Sequence, residues 1–150
     1  MFGIDLSGIL PRERVVVVEK LAKEEALNTL IDLLAASPLV GSPSELSEGI
    51  HHREKLMSTG IGYGIAIPHV RMRSIRDVGM AAMVVKQGID DYESLDAEPV
   101  RIIFMIVARE DQHVQHLKLL ASLTSCLKHA ENRDKLLACN DADSFYELLR

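Results

Sequence analysis

The chain has 150 residues, 47% hydrophobic and 26% charged, and its 17 basic against 22 acidic residues leave a net charge of −5. That composition fits one globular domain with a proper core and gives no sign of disorder, collagen or a coiled coil. An acidic balance argues against binding nucleic acid or an anionic membrane through charge, and no apolar run approaches the roughly 20 residues of a membrane span.

Val15-Val16-Val17-Val18 is a β-branched run that reads as a short buried strand. Over residues 23–36, Ala26, Leu27, Leu30, Ile31, Leu33 and Leu34 recur at helical spacing, and Ser37-Pro38 stops the helix. In Ser42-Pro43-Ser44-Glu45, a serine cap, a first-turn proline and a glutamate predict a capping box opening a second helix that runs to about residue 57. Its apolar face, Leu46, Ile50 and Leu56, is thin, so packing on one side is expected. Gly60, Gly62 and Gly64 then break any helix and let the backbone approach something closely. Ile65-Ala66-Ile67 reads as a short strand delivering Pro68-His69 at its end.

Residues 78–86 and 100–108 are the best strands, the second a nearly continuous apolar run of the kind that forms a central strand covered on both faces. The polar stretch between them has room for a small extra strand or hairpin. Asp111 is a candidate cap for a long helix with Val114, Leu117, Leu120, Ala121, Leu123, Thr124 and Leu127 inward. Two short helices, over 132–139 and 143–149, close the chain, with Asp141 capping the second. Strands interleaved with helices, without repeat or linker, predict one mixed α/β domain over residues 1–150. Cys126 and Cys139, without metal-ligand spacing, suit a reducing compartment, and the first ten residues show no secretory pattern. A cytoplasmic location is expected.

Among the polar residues, His69 stands out, because Pro68 stiffens its approach and a glycine-rich loop lies just upstream. A histidine beside free backbone N–H groups can receive or hold a phosphate; the plain alternative is packing against a turn. Arg53 carries the fork of donors that matches phosphate oxygens, though an arginine there also suits the helix C-terminal dipole. His113 and His116 share one side of the long helix. Their spacing allows a metal pair, but no cysteine or carboxylate completes a recognised zinc set. Gly60-Ile61-Gly62-Tyr63-Gly64 is not a dinucleotide fingerprint, because no strand precedes it and no helix opens from it. No Walker-type lysine loop or serine nucleophile elbow is present, and no cofactor is expected.

Residues 53–69, Arg-Glu-Lys-Leu-Met-Ser-Thr-Gly-Ile-Gly-Tyr-Gly-Ile-Ala-Ile-Pro-His, resemble the active-site signature of the fructose/mannitol-type enzyme IIA family of the bacterial sugar phosphotransferase system, nitrogen-regulatory branch included. The resemblance implies a mixed sheet of about five strands flanked by helices on both faces. It implies that His69 is the histidine phosphorylated by the carrier HPr and that Arg53 helps bind the phosphoryl group. The run His116-Leu117-Lys118-Leu119-Leu120 is similar to the family's assisting-histidine helix, which gives that role to His116, with the extra His113 as the alternative. Gly62 and Gly64 would keep the approach to HPr open. Histidine suits the chemistry because its ordinary titration lies near neutrality, leaving a nitrogen free to attack. Phosphoryl transfer then needs mainly in-line positioning and charge stabilisation. Two roles follow. In one, the phosphoryl group passes from phospho-HPr to a sugar-specific enzyme IIB, with the protein peripheral to a membrane transporter at most. In the other, phosphorylation governs binding to a regulatory target. An interaction module that is never phosphorylated is the third, from a different class.

Overall fold

In the computed structural model, residue 6 and residues 8–149 are described. The chain runs β1 (Val15–Val18), α1 (Lys23–Ala35), α2 (Pro43–Leu56), β2 (Gly60–Gly62), β3 (Ile65–Ala66), β4 (His69–Met72), β5 (Gly79–Ile89), β6 (Val100–Arg109), α3 (His113–Leu127), α4 (Ala130–Leu137) and α5 (Ala142–Leu149). The expected apolar runs became the centre of the sheet. β5 and β6 pair antiparallel, β1 lies parallel to β5, and β3 and β4 lie parallel to β6 with β2 antiparallel outside β3. The sheet is therefore mixed, with six strands instead of about five.

Side-chain alternation divides the core into two layers. Ala81, Met83, Val85, Ile103, Met105 and Val107 pack against α1 and α2, while Met80, Ala82, Val84, Ile102, Phe104 and Ile106 pack against α3, α4 and α5. Helices thus flank both faces, as expected. No helix among the described residues is long and apolar enough to cross a membrane.

The local signals were realised unevenly. Ser42 caps α2 by accepting from the Glu45 amide at 3.3 Å, with Pro43 in the first turn. Asp141 does the same for the Ser144 amide at 2.8 Å. Asp111, however, is not the cap of α3: Gln112 holds that position, and the Asp111 carboxylate pairs with Arg109 Nε at 2.5 Å. The buried side of α3 is also turned from the expected one. Leu123 and Leu127 face inward as expected, but they are joined by His116, Leu119 and Cys126, whereas Val114 and Leu117 are 58% and 51% exposed. In α2, Glu54 continues the Leu46 and Ile50 row into the interior, and Leu56 is 69% exposed.

The glycine segment is a strand where a loop was expected. β2 and β3 form a tight hairpin whose turn residues Tyr63 and Gly64 both have positive φ, 59° and 75°. That is the sign pattern of a type I′ turn, which glycine accommodates without strain. Gly60 is required for another reason: a Cβ there would collide with the Glu93 carbonyl oxygen.

His69 opens β4; it does not end a strand. Ile65 pairs with Ile102 and His69 with Ile106, an offset of 37 in both cases (102 − 65 and 106 − 69), so β3 and β4 follow one ladder along β6. The interruption falls at Ile67-Pro68, where proline has no N–H to give. Pro68 still contributes its carbonyl, which accepts from the Ile106 amide at 2.9 Å.

Candidate active site

Strand alternation places His69 and Arg71 on one face of β4, and Val70 and Met72 on the other. Val70 and Met72 pack into the layer under α1 and α2, where a Cβ on Gly49 would stand 3.3 Å from the Met72 sulfur. His69 consequently points to the α3 side. There it meets His116, in the first turn of α3, with ring centroids 5.2 Å apart and planes at 73°.

The start of α3 is anchored by Gln112. Its side-chain oxygen accepts from the Arg109 amide at 2.8 Å, and its amide nitrogen donates to Asp77 Oδ1 at 2.7 Å. The bond from Gln112, with a second from the Val78 amide, lowers the Asp77 carboxyl below its usual range. These contacts tie the helix to the end of β6 and so fix where His116 sits.

The two imidazoles differ. His69 Nδ1 lies 2.7 Å from the Ile67 carbonyl. A carbonyl only accepts, so Nδ1 carries the proton and Nε2 the lone pair. His116 is 5% exposed, and its Nε2 is buried with no hydrogen-bond partner. Burial, then the charges of His69, Arg71 and His113, push its pKa down to about 4. It is a neutral ring at neutral pH. One ring nitrogen with a free lone pair therefore stands beside a ring with an unused polar atom.

The other expected site residues are placed less directly. Arg53 lies in the last turn of α2, with Nη1 donating to the Met57 carbonyl at 2.7 Å; among the described residues no hydrogen bond joins it to either histidine. His113 is the exposed first residue of α3 and acts on His116 through charge. The Gly62 amide is held by Ser94 Oγ at 3.0 Å and the Tyr63 amide by Asp96 at 2.8 Å, so these donors are already engaged within the hairpin. Gly62 and Gly64 act on the backbone path here, at φ of 94° and 75°.

Two contributors escaped the sequence reading. Arg71, whose Nη1 donates to the Glu110 carbonyl at 3.1 Å, supplies positive charge next to His116. Its signal is the two-residue spacing from His69, visible only once β4 is recognised as a strand. The Ile67 carbonyl has no side-chain signal at all. Among the described residues, no group of three or more His, Cys, Asp or Glu is placed to hold a metal.

Known proteins share this arrangement of elements. Residues 9–150 match the family described as phosphoenolpyruvate-dependent sugar phosphotransferase system, EIIA 2. The chain is 30% identical over 146 residues to the fructose-specific EIIA component of Haloferax volcanii, covering 97% of this chain and 94% of that one. It is 34% identical over 132 residues to the fructose-specific EIIABC component of Bacillus subtilis, which covers 88% of this chain but only 21% of that longer protein. The nitrogen regulatory protein IIA-Ntr of Neisseria meningitidis superposes with a TM-score of 0.86 at 28% identity, over 97% of this chain and 99% of that one. The mannitol enzyme IIA of Escherichia coli, solved in complex with phosphorylated enzyme IIB, superposes at 0.77 with 28% identity, over 91% and 94%. Matched along nearly its whole length, the chain belongs to the EIIA 2 family of the sugar phosphotransferase system, a family of phosphotransfer components.

Proposed function

We propose that His69 of this chain accepts a phosphoryl group from phospho-HPr through Nε2 and passes it to a sugar-specific enzyme IIB. The observation that carries this reading is the 2.7 Å contact from His69 Nδ1 to the Ile67 carbonyl, which leaves the Nε2 lone pair free to attack. In the step, a bond forms between Nε2 and phosphorus while the bond from phosphorus to the donor's leaving atom breaks, its electron pair departing with that atom. The His69 ring becomes positively charged with Nδ1 still protonated, and the Ile67 carbonyl dipole stabilises that charge. Onward transfer reverses the same movement.

His116, neutral and with Nε2 unpartnered, is assigned to donate its N–H to a phosphoryl oxygen. Arg53 exchanges the Met57 carbonyl for phosphoryl oxygens, which as charged acceptors bind a guanidinium more strongly. Gly62 and Gly64 bring no side chain to the approach that HPr takes. Exposed Leu56, Met57, Val114 and Leu117 extend from the two helix ends that carry Arg53 and His116, which suits a protein donor and acceptor better than a small free substrate. Such exchange places the protein in the cytoplasm, peripheral to a membrane transporter at most.

Intact-mass measurement after incubation with phosphoenolpyruvate, enzyme I and HPr tests the reading. One acid-labile phosphoryl group should be gained, map to His69, and disappear when a cognate enzyme IIB is added. No gain with an HPr shown to be active would overturn it. The superposition on IIA-Ntr at TM-score 0.86 favours a second reading, in which the phosphorylation state controls binding to a regulatory or transport protein. A phosphoryl group retained in the presence of enzyme IIB, with phosphorylation-dependent capture of a kinase or ion transporter, would select it.

The depressed pKa of His116 also sets a pH dependence. The unfolded ring titrates near 6.5 and the folded ring at about 4, so between those values the unfolded chain binds more protons. The stability contributed by a neutral buried His116 is complete above 6.5 and is lost as pH falls through 4. Urea midpoints measured across that window should fall less steeply for His116→Gln than for the wild type; parallel curves would refute the assignment.

A further inference from the structure

A carboxylate occupies the end of the α2 core row where an apolar side chain is expected. The Glu54 side chain is 5% exposed. Burying a carboxylate is costly unless hydrogen bonds and opposite charge compensate for lost water. Glu54 has both. Its two oxygens each lie 3.1 Å from the Thr59 amide, and Oε1 accepts from the Thr59 hydroxyl and, at 2.7 Å, from the Tyr92 hydroxyl. The Lys23 ammonium stands 3.6 Å from Oε2 and 4.5 Å from the centre of the Tyr92 ring. Burial, reinforced by the Glu54 charge, raises the Tyr92 phenol well above its usual range, so it remains a donor.

Closing α2 does not require this network. The Met57 amide already donates to the Arg53 carbonyl, and the Arg53 guanidinium to the Met57 carbonyl. What the network holds is Thr59, and Thr59 holds Ile67: its carbonyl accepts from the Ile67 amide at 3.1 Å. The Ile67 carbonyl is in turn the partner of His69 Nδ1. Because β2 begins only at Gly60, among the described residues no strand residue pairs with the outward side of Ile67 beyond Thr59. The buried carboxylate is thus linked to the imidazole through two backbone residues.

We propose that Glu54 is a positioning residue for His69: by pinning Thr59 it fixes the Ile67 backbone, and through the Ile67 carbonyl it sets the tautomer and orientation of the His69 ring. This deepens the phosphocarrier reading and rests on it for its effect on rate, but not for its effect on the ring. A purely structural Glu54 would change stability and leave the tautomer alone.

The test records 15N shifts of the His69 ring nitrogens in the full chain, wild type against Glu54→Gln and Tyr92→Phe, with backbone amide spectra to establish folding. In the neutral form of the ring, the wild type should show the proton at Nδ1. Glu54→Gln, which loses the charge and one acceptor, should show a mixture of tautomers, and phosphoryl uptake from phospho-HPr should slow about tenfold in kcat with KM unchanged. Glu54→Asp should fall between the two. Tyr92→Phe keeps the carboxylate and removes one donor, so it should shift the ring the same way by less; it decides the matter if Glu54→Gln does not fold. Wild-type ring shifts in a folded Glu54→Gln, or in Tyr92→Phe where the former is unfolded, overturn the proposal. A shifted tautomer with no phosphoryl uptake even by the wild type would sink the phosphocarrier reading and leave the positioning role standing.

Discussion

His69→Ala is expected to lower phosphoryl uptake from phospho-HPr by at least about 10⁴-fold, the scale of losing a nucleophile. The remaining machinery has nothing to substitute. Nε2 of His116 is buried, and the residue as a whole is 5% exposed. His113 is exposed at the helix start, and the imidazole facing His69 is that of His116. The substitution should cost little stability, because the His69 ring is only half-buried and makes one side-chain hydrogen bond, to the Ile67 carbonyl. A folded protein that takes up no phosphoryl group is the expected outcome, read by intact mass beside a urea titration. Stoichiometric acid-labile phosphate on His69→Ala would instead move the nucleophile to another residue. His116→Ala should be milder, about 10²-fold, since it removes one donor to the transferring group and leaves the attacking nitrogen in place.

Phe104→Ala should be strongly destabilising, at a cost of about 3–5 kcal/mol. Phe104 is fully buried in the middle of β6, opposite Ala82 on β5, and its ring stands 5.9 Å from that of Phe145 on α5. The facing alanine offers no bulk to fill a void. Domains of this size are stable by roughly 5–15 kcal/mol in total, so the variant loses a large share. Phe104→Leu should cost markedly less because most of the volume remains. Urea denaturation of both checks this, and a loss below about 1 kcal/mol for the alanine variant would mean that Phe145 and α5 collapse into the space.

The sequence displayed its central strands because burial on both faces leaves only apolar residues there, as in residues 100–108. Ser42-Pro43 and Asp141 were legible because a cap is a local contract between a side chain and amides a turn away. The face of α3 was not. Val114 and Leu117 fit helical periodicity as well as His116 and Leu119 do, and only the packing of α3 on the sheet decides which set is covered. β2 was hidden because glycines carry no alternation to read. Glu54 was hidden because a carboxylate in a helix reads as solvent-facing unless Thr59 and Tyr92, 5 and 38 residues away, are known to converge on it. His69 was visible through Pro68 and the glycines before it, whereas Arg71 needed a strand that the sequence reading did not predict.

The shared ladder of β3 and β4 along β6 also acts as a clock for the His69 side chain. Successive residues of a strand look to opposite faces, so phase along β6 decides which way position 69 points. Adding or deleting one residue between Ala66 and His69 would turn the imidazole into the layer under α1 and α2, where Val70 now packs. The segment from hairpin to histidine therefore tolerates changes of side chain far better than changes of length.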